Sequence, residues 1–129
     1  MIDKIAWLHL ADGRILSTRS RGKEVYYLPG GKREPGETDA ETLVREIREE
    51  LDVAIAESSI EPAGVFEAAA HGHAGTLVRM TCYTAEYAGT LAASSEIEEI
   101  AWLEYADRPM VSAVDKLIFD HLHETGQLR

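Results

Sequence analysis

Apolar and polar residues alternate along several short stretches of the chain, a pattern typical of strands that bury at least one face. The first such stretch, residues 2–10, is followed by Asp12 and Gly13, a pair that favours a tight hairpin turn before the chain returns. The predicted strands are residues 2–10, 14–18, 25–28, 63–70, 76–87 and 100–103.

Two other stretches follow helical periodicity. The first helix begins near Thr38, where Thr38 and Glu41 fit a capping box that satisfies two free backbone N–H groups. The second is a closing helix over residues 111–123, with Gly126 after its end. The apolar stripes are Ala40, Leu43, Val44, Ile47 and Leu51 in the first helix, and Val114, Leu117, Ile118 and Leu122 in the second. Short strands with a central and a C-terminal helix predict an α+β fold.

The first helix also carries an acidic face. Glu46, Glu49 and Glu50 share it because side chains three and four residues apart lie together on a helix. Carboxylates this close repel one another, and Arg45, four residues before Glu49, offsets only part of that repulsion. A Mg²⁺ ion, which prefers carboxylate oxygens, would offset much more. The alternative is a solvated acidic face, the more usual meaning of a glutamate-rich helix.

The loop before this helix favours the metal site over the solvated face. Gly30, Gly31, Pro35 and Gly36 form a loop that no regular element would tolerate, and Glu37 stands where it enters the helix. Glycines also let a backbone approach a ligand closely, because they carry no side chain.

Residues 31–53 resemble the Nudix hydrolase box. That box reads glycine, five residues, glutamate, seven residues, Arg-Glu, an aliphatic, any residue, Glu-Glu, any residue, glycine and an aliphatic. One position departs from it, because Asp52 stands where the family has a glycine that leaves the helix with a positive φ. Aspartate tolerates that conformation better than most residues. The matching residues are Gly31, Glu37, Arg45, Glu46, Ile47, Glu49, Glu50 and Val53.

The resemblance implies a fold and an activity. The fold would be the family's α/β/α sandwich, with a mixed β-sheet between helices, formed as one domain over residues 1–129. The activity would be Mg²⁺- or Mn²⁺-dependent hydrolysis of a nucleoside diphosphate linked to another group. A nucleoside or deoxynucleoside triphosphate, with oxidised nucleotides among the candidates, is the leading substrate. Hydrolysis of ADP-ribose or another nucleotide-sugar, and non-catalytic nucleotide sensing, are the alternatives.

The same resemblance suggests roles for the charged residues. Glu46, Glu49 and Glu50 are assigned as metal ligands, because metal ions neutralise the phosphate oxygens and activate a bound water. Arg45 is expected to orient a neighbouring carboxylate, and Glu37 to brace the loop or lie outside the direct ligands. The late acidic loop resembles one in which the family places a further metal ligand or base, and Glu96 is preferred for that role with Glu98 second. A solvated acidic loop is the equal alternative. The general base stays open among Glu49, Glu50 and Glu96, with Glu49 slightly favoured.

Four residues are candidates for substrate contact. The backbone of Gly30 and Gly31 can approach a phosphate closely. Arg19 belongs to a basic loop cluster with Arg21 and Lys23, one of which is expected to meet a substrate phosphate unless the loop is merely solvated. Tyr27 precedes the Leu-Pro-Gly-Gly run where the family often has an aromatic residue; packing in the core is preferred for it, and stacking on a base is the alternative.

Composition narrows the partners. The 129-residue chain has 13 Lys plus Arg and 23 Asp plus Glu, a net charge of −10, which disfavours long nucleic acid as a partner. The lone Cys82 is predicted to be a buried apolar residue. A single cysteine, together with the lack of a transmembrane-length apolar run or a signal-peptide pattern, leads us to expect a cytoplasmic location. His71 and His73 are assigned to a hairpin turn and not to a metal site. Exposed sheet edges would allow a homodimer.

Overall fold

The computed structural model describes residues 1–70 and 75–129; the predicted turn with His71 and His73 lies outside these residues. The described chain holds two α-helices, nine strands and two short 3₁₀ turns, Glu57–Ser59 and Tyr105–Met110. The strands are β1 (Ile2–Trp7), β2 (Leu10–Ala11), β3 (Arg14–Ser20), β4 (Gly30–Gly31), β5 (Ala54–Ile55), β6 (Glu61–Ala69), β7 (Leu77–Thr84), β8 (Tyr87–Ala88) and β9 (Ile97–Leu103); the helices are α1 (Asp39–Leu51) and α2 (Ala113–Glu124).

A four-stranded mixed sheet with the order β4-β1-β7-β6 forms the middle layer. Strand β1 runs parallel to β7 and antiparallel to β4. Its side chains alternate: Ile5 and Trp7 pack with the apolar face of α1, whereas Ala6, and Leu8 just after the strand, pack with that of α2. The sheet therefore lies between two helical layers, which confirms the predicted α+β sandwich. Two smaller sheets, β2-β3-β9 and β5-β8, complete the described chain.

Helix α1 begins and ends as its sequence predicts. Thr38 Oγ1 accepts the Glu41 N–H at 3.1 Å, and the Glu41 carboxylate accepts the Thr38 N–H at 2.9 Å, so the capping box is confirmed. At the other end Asp52 adopts the left-handed conformation with φ 56°. Aspartate thus makes the turn for which the family uses glycine, and Val53 passes into the core.

Residues 25–28 do not form the predicted strand. Tyr26 and Tyr27 make isolated bridges, to Val111 and Thr18 respectively, and belong to no strand among the described residues. The segment lies between β3 and the chain before α2, and its next N–H, that of Leu28, goes to the Asp115 side chain instead of a neighbouring strand. The ladder stops there for lack of a backbone partner.

The last predicted strand is longer than expected. Strand β9 starts at Ile97, and its antiparallel pairing with β3 continues to Ser20. Glu98 and Glu99 are therefore strand residues and not loop residues, while Glu96 remains outside the strand.

Helix α2 follows its predicted position but buries a different stripe. Leu117 is 40 % exposed, so its assignment to the stripe was wrong, and Phe119, which the prediction omitted, is fully buried. The helix packs on β6 and β7 through Val114, Ile118, Phe119 and Leu122, which lie on one side of it. Among the helices of residues 1–70 and 75–129, none has the length and apolar character needed to cross a membrane.

Candidate active site

A cavity of about 590 Å³ opens where α1, β4 and the start of β9 meet. It gathers residues that are far apart in the sequence, because β4 delivers the two glycines to the side of α1 and the β3–β9 pairing brings the acidic loop beside them. Of the predicted site residues, Tyr27, Gly30, Gly31, Arg45, Glu46, Glu50 and Glu96 line it, whereas Arg19 and Glu49 do not.

Glu50 is the most enclosed of the helix carboxylates. Its side chain is nearly buried, with 7 % of the residue exposed, and its Oε1 accepts the Gly30 N–H at 3.0 Å. Burial, helped by the negative charges of Glu46 and Glu96, raises the pKa of Glu50 to about 8 in the metal-free protein. A carboxyl kept close to neutral by its surroundings would be ionised fully by an approaching cation.

Glu46 and Glu49 are held by Arg45 to different degrees. Glu46 Oε1 accepts from Arg45 Nη1 at 2.9 Å, and burial raises the pKa of Glu46 despite that contact. Glu49 Oε1 lies 3.5 Å from the same nitrogen, but half of its side chain is exposed. Glu49 therefore sits on the rim of the acidic face, outside the cavity wall that Glu46 and Glu50 form.

Arg45 also fastens the glycine loop to the helix. Its Nε and Nη2 donate to the two oxygens of Glu37 at 2.7 and 2.9 Å, a bidentate pair. Glu37 accepts in addition from the Glu34 N–H at 2.7 Å and from Thr42 Oγ1 at 3.0 Å. The Arg45 guanidinium is the main reason that the pKa of Glu37 falls to about 2. Glu37 thus braces the loop, with both carboxylate oxygens already bonded.

The donor chemistry of the cavity suits a hard divalent cation. Glu46, Glu50 and Glu96 all line it with carboxylate oxygens, the ligands that Mg²⁺ and Mn²⁺ prefer. In the part of the chain that the structure describes, no three acidic, histidine or cysteine side chains are already grouped as a metal site. The carboxylates instead bond to Arg45 and Gly30, so a cation would exchange these partners.

Gly31 leaves room for Glu46. A Cβ built on Gly31 would lie 2.5 Å from Glu46 Cδ, much closer than real contacts allow. Any side chain at position 31 would push the Glu46 carboxylate away from its place beside Arg45.

Replacing Gly31 with alanine should therefore damage the site and spare the fold. The flexible end of Glu46 would move, so we expect a loss of less than about 1 kcal/mol in unfolding free energy. Because a misplaced ligand costs much of its function, kcat/KM should fall at least about tenfold. Urea unfolding together with steady-state hydrolysis assays would check both. Wild-type activity in a folded Gly31→Ala protein would show that the place of Glu46 does not matter.

The predicted basic cluster lies only partly at the cavity. Arg19 forms ion pairs with Glu98 at 3.3 Å and Glu99 at 3.1 Å, which keep its guanidinium on the β3–β9 surface. Lys23 of the same basic cluster does line the cavity, together with Lys4 and Lys32. Within residues 1–70 and 75–129, no ion pair involves these three lysines. Lys32 could have been suspected from its place beside Gly31, but nothing in the local sequence singles out Lys4.

Tyr27 is not a core residue, contrary to the preferred prediction. It is half-buried and absent from both apolar clusters, whereas its neighbour Tyr26 is buried in one of them. The Lys4 ammonium lies 5.5 Å from the centre of the Tyr27 ring. Tyr27, Lys4, Lys23 and Met80 also line an adjoining cavity of about 330 Å³, which reaches the start of α2. The two cavities thus meet at Tyr27.

A family profile matches most of this chain. The family profile described as NUDIX domain matches residues 4–121, which is most of the chain. Among curated proteins, no sequence matches the chain.

Solved structures share the fold at low sequence identity. The crystal structure of a MutT NUDIX hydrolase from Burkholderia pseudomallei superposes with a TM-score of 0.76 at 23 % identity, covering 92 % of this chain and 95 % of that one. The solution structure of the E. coli ORF135 protein gives 0.72 at 23 % identity, covering 96 % and 89 %. The crystal structure of a nudix hydrolase family member from Chromobacterium violaceum gives 0.74 at 24 % identity, covering 96 % and 77 %. The shared architecture extends over almost the whole of this chain.

Proposed function

The chain belongs to the Nudix family of pyrophosphate-bond hydrolases, and we propose that it cleaves (deoxy)nucleoside triphosphates to the monophosphate and pyrophosphate with the help of Mg²⁺ or Mn²⁺. The observation that carries this proposal is one cavity lined both by carboxylates, of which Glu50 is buried, and by lysines that make no ion pair within the described residues. Such a pairing suits a metal–polyphosphate complex, which presents cations and anions together.

Glu46 and Glu50 would hold the metal, with Glu49 and Glu96 at the edges of the site. When bound, the metal supplies charge neutralisation at the phosphate oxygens and lowers the pKa of a bound water. Arg45 keeps Glu46 in position and joins the loop to the helix through Glu37. The backbone of Gly30 and Gly31 lets phosphate oxygens approach closely.

The lysines would bind the remaining phosphate charge. Lys23 and Lys32 line the same cavity as the carboxylates, and in a chain of net charge −10 they form the local positive surface that an anionic substrate needs. Arg19 is not assigned this role, because its charge is used by Glu98 and Glu99.

The nucleoside would extend into the adjoining cavity. Its walls include apolar Ile2, Val78 and Met80, with Tyr27 and Lys4 at the junction between the two cavities. A half-buried tyrosine at that junction supports base or sugar stacking as its role. Ser112 is a polar group close to where a base edge would lie.

Glu96 and Glu49 are the two candidates for taking the proton of the attacking water. Glu96 is supported by its place in the cavity wall, near enough to Glu46 and Glu50 to raise their pKa values. Glu49 is exposed on the rim, where a proton could pass to solvent. A general base raises the reaction rate about 10²–10⁴-fold. The glutamine variant of the true base, Glu96→Gln or Glu49→Gln, should therefore have a much lower kcat than the other variant.

The testing experiment is a substrate panel. Phosphate and pyrophosphate release would be measured with and without Mg²⁺ for standard and oxidised triphosphates, ADP-ribose and diadenosine polyphosphates, using the wild type, Glu46→Gln, Glu49→Gln and Glu96→Gln. We expect Mg²⁺-dependent pyrophosphate release from triphosphates that collapses in Glu46→Gln.

The other outcomes decide between the alternatives. Faster hydrolysis of ADP-ribose than of triphosphates would show that the proposed substrate is wrong and that the proposed pyrophosphate-bond hydrolysis is right. Nucleotide-dependent thermal stabilisation without turnover of any substrate would favour a sensing domain instead.

A further inference from the structure

Residues 26–31, which we term the strap, run between the two helices of the sandwich. Tyr26 is fixed at one end, where its N–H donates to Met110 O at 2.9 Å and its C=O accepts the Ser112 N–H at 3.3 Å. At the other end Gly30 and Gly31 form β4 beside α1, where the sequence predicts a loop. Midway, Pro29 O accepts the Trp7 N–H at 2.9 Å, which anchors the strap to β1.

Two carboxylates from opposite helices bind this strap. The Leu28 N–H donates to Asp115 Oδ2 of α2 at 2.9 Å, and two residues later the Gly30 N–H donates to Glu50 Oε1 of α1 at 3.0 Å. Only Leu28 and Pro29 separate the two N–H groups, and the ring of Pro29 fixes its φ angle. The position of the Leu28 N–H therefore restricts the position of the Gly30 N–H.

Burying the Asp115 carboxylate in this position lowers the stability of the fold. Its side chain is fully buried, and within the described residues its Oδ1 has no hydrogen-bond partner. Burial raises the pKa of Asp115 to about 6, although the hydrogen bond from Leu28 and the charge of Lys4 act in the opposite direction. An apolar residue would pack here at lower cost in free energy. Within residues 1–70 and 75–129, the hydrogen bond to Leu28 is the only one through which the Asp115 side chain reaches another element of the fold.

We infer that Asp115 is a positioning residue that holds the strap so that the Gly30 N–H and the two glycines meet Glu50 at the active site. Its effect on turnover rests on the proposed function; its effect on Gly30 does not. Through the strap, Asp115 links α2, which carries none of the proposed metal ligands, to the acidic face of α1.

Two variants and one control separate positioning from simple stability. Asp115→Asn keeps an oxygen that can accept the Leu28 N–H, whereas Asp115→Leu removes the acceptor and keeps the same number and branching of side-chain heavy atoms. The control is Asp120→Asn, also on α2, whose carboxylate pairs with Arg108 and Tyr105 away from the strap. The readouts are the amide proton shift of Gly30 by ¹H–¹⁵N NMR in metal-free protein, and kcat and KM at saturating Mg²⁺.

In Asp115→Leu we expect the Gly30 amide proton to move upfield and kcat to fall at least about tenfold, with KM changed less than about threefold. Asp115→Asn should keep the wild-type shift and retain kcat within about threefold. Asp120→Asn should lower Tm and leave both readouts unchanged. A wild-type Gly30 shift in folded Asp115→Leu would overturn the inference. If the wild type hydrolyses a substrate, a wild-type kcat in Asp115→Leu would overturn it as well.

Hydrogen exchange in the wild type gives a second test that needs no variant to fold. If the strap acts as one unit, the Leu28 and Gly30 amides should exchange with equal opening free energies. Clearly different opening free energies would overturn the inference. If the wild type hydrolyses no substrate, the proposed function fails while the shift and exchange data still decide the role of Asp115.

Discussion

Replacing Glu50 with glutamine is expected to lower kcat at saturating metal by about a hundredfold or more, while making the metal-free protein more stable at alkaline pH. Glutamine keeps an oxygen that can accept the Gly30 N–H, so the local backbone should stay in place. It cannot carry the negative charge that would hold a divalent cation, which is why activity should collapse. The stabilisation follows because glutamine removes a charge that the protein buries unfavourably.

The pH dependence of this stabilisation has a definite sign. The pKa of Glu50 is about 8 in the folded metal-free protein, against an ordinary value of 4.5. Because the folded pKa is raised, the protonated carboxyl contributes stability that is fully present below pH 4.5 and is lost as the pH rises through 8. At 1.36 kcal/mol for each tenfold change in proton affinity, the loss is on the order of 5 kcal/mol by pH 9.

Calorimetry in the presence of a chelator would check the stability part. Near pH 5 the wild type and Glu50→Gln should melt within a few degrees of each other, and at pH 9 the variant should melt at least about 5 °C higher. Glu49→Gln is the matched control, since its carboxylate is on the same helix face but half exposed, and its Tm should stay close to wild type at both pH values. A variant that melts below the wild type at pH 9 would show that the Glu50 charge is not a cost to folding.

Much of α1 and its loop could be predicted because the determining interactions are local in sequence. The capping box spans Thr38 to Glu41, and Arg45 reaches Glu37 and Glu46 within the same segment. The left-handed backbone conformation of Asp52 is likewise set locally, by the residue type and its place at the end of α1. The alternation over residues 2–10 was also enough to predict the first strand, because the period of a strand does not depend on its partners.

The other half of the site depends on pairings that a single sequence does not display. Arg19 is taken out of the cavity by Glu98 and Glu99, which face it only because β3 pairs with β9. Lys4 enters the cavity from β1, and Asp115 binds the strap from α2, 87 positions from Leu28. Charge counts showed that cations were scarce, but the strand pairing determines which of them face the substrate.

The strongest effect on the fold is expected from Gly30→Ala. A Cβ at position 30 would lie 2.0 Å from the Ile5 carbonyl oxygen and 2.9 Å from Ala6 Cα, both of them backbone atoms of the central strand. Unlike a flexible side chain, these atoms cannot move without breaking the pairing of β4 with β1. The φ of Gly30, 148°, adds strain on the order of 1–3 kcal/mol for any residue with a side chain. We expect Gly30→Ala to cost about 4 kcal/mol or more, enough to unfold a marginally stable domain.

Gly36→Ala is the control that isolates the steric part of this effect. Gly36 also has a positive φ, 83°, but apart from its chain neighbours no atom of the described residues lies within 4 Å of a Cβ there, so only the backbone strain of about 1–2 kcal/mol should appear. Circular dichroism and urea unfolding of both variants would give the difference. If Gly30→Ala lost no more stability than Gly36→Ala, β4 would not lie tightly against β1. The Gly30 N–H would then be free to leave Glu50, and the site would have to be held by α1 alone.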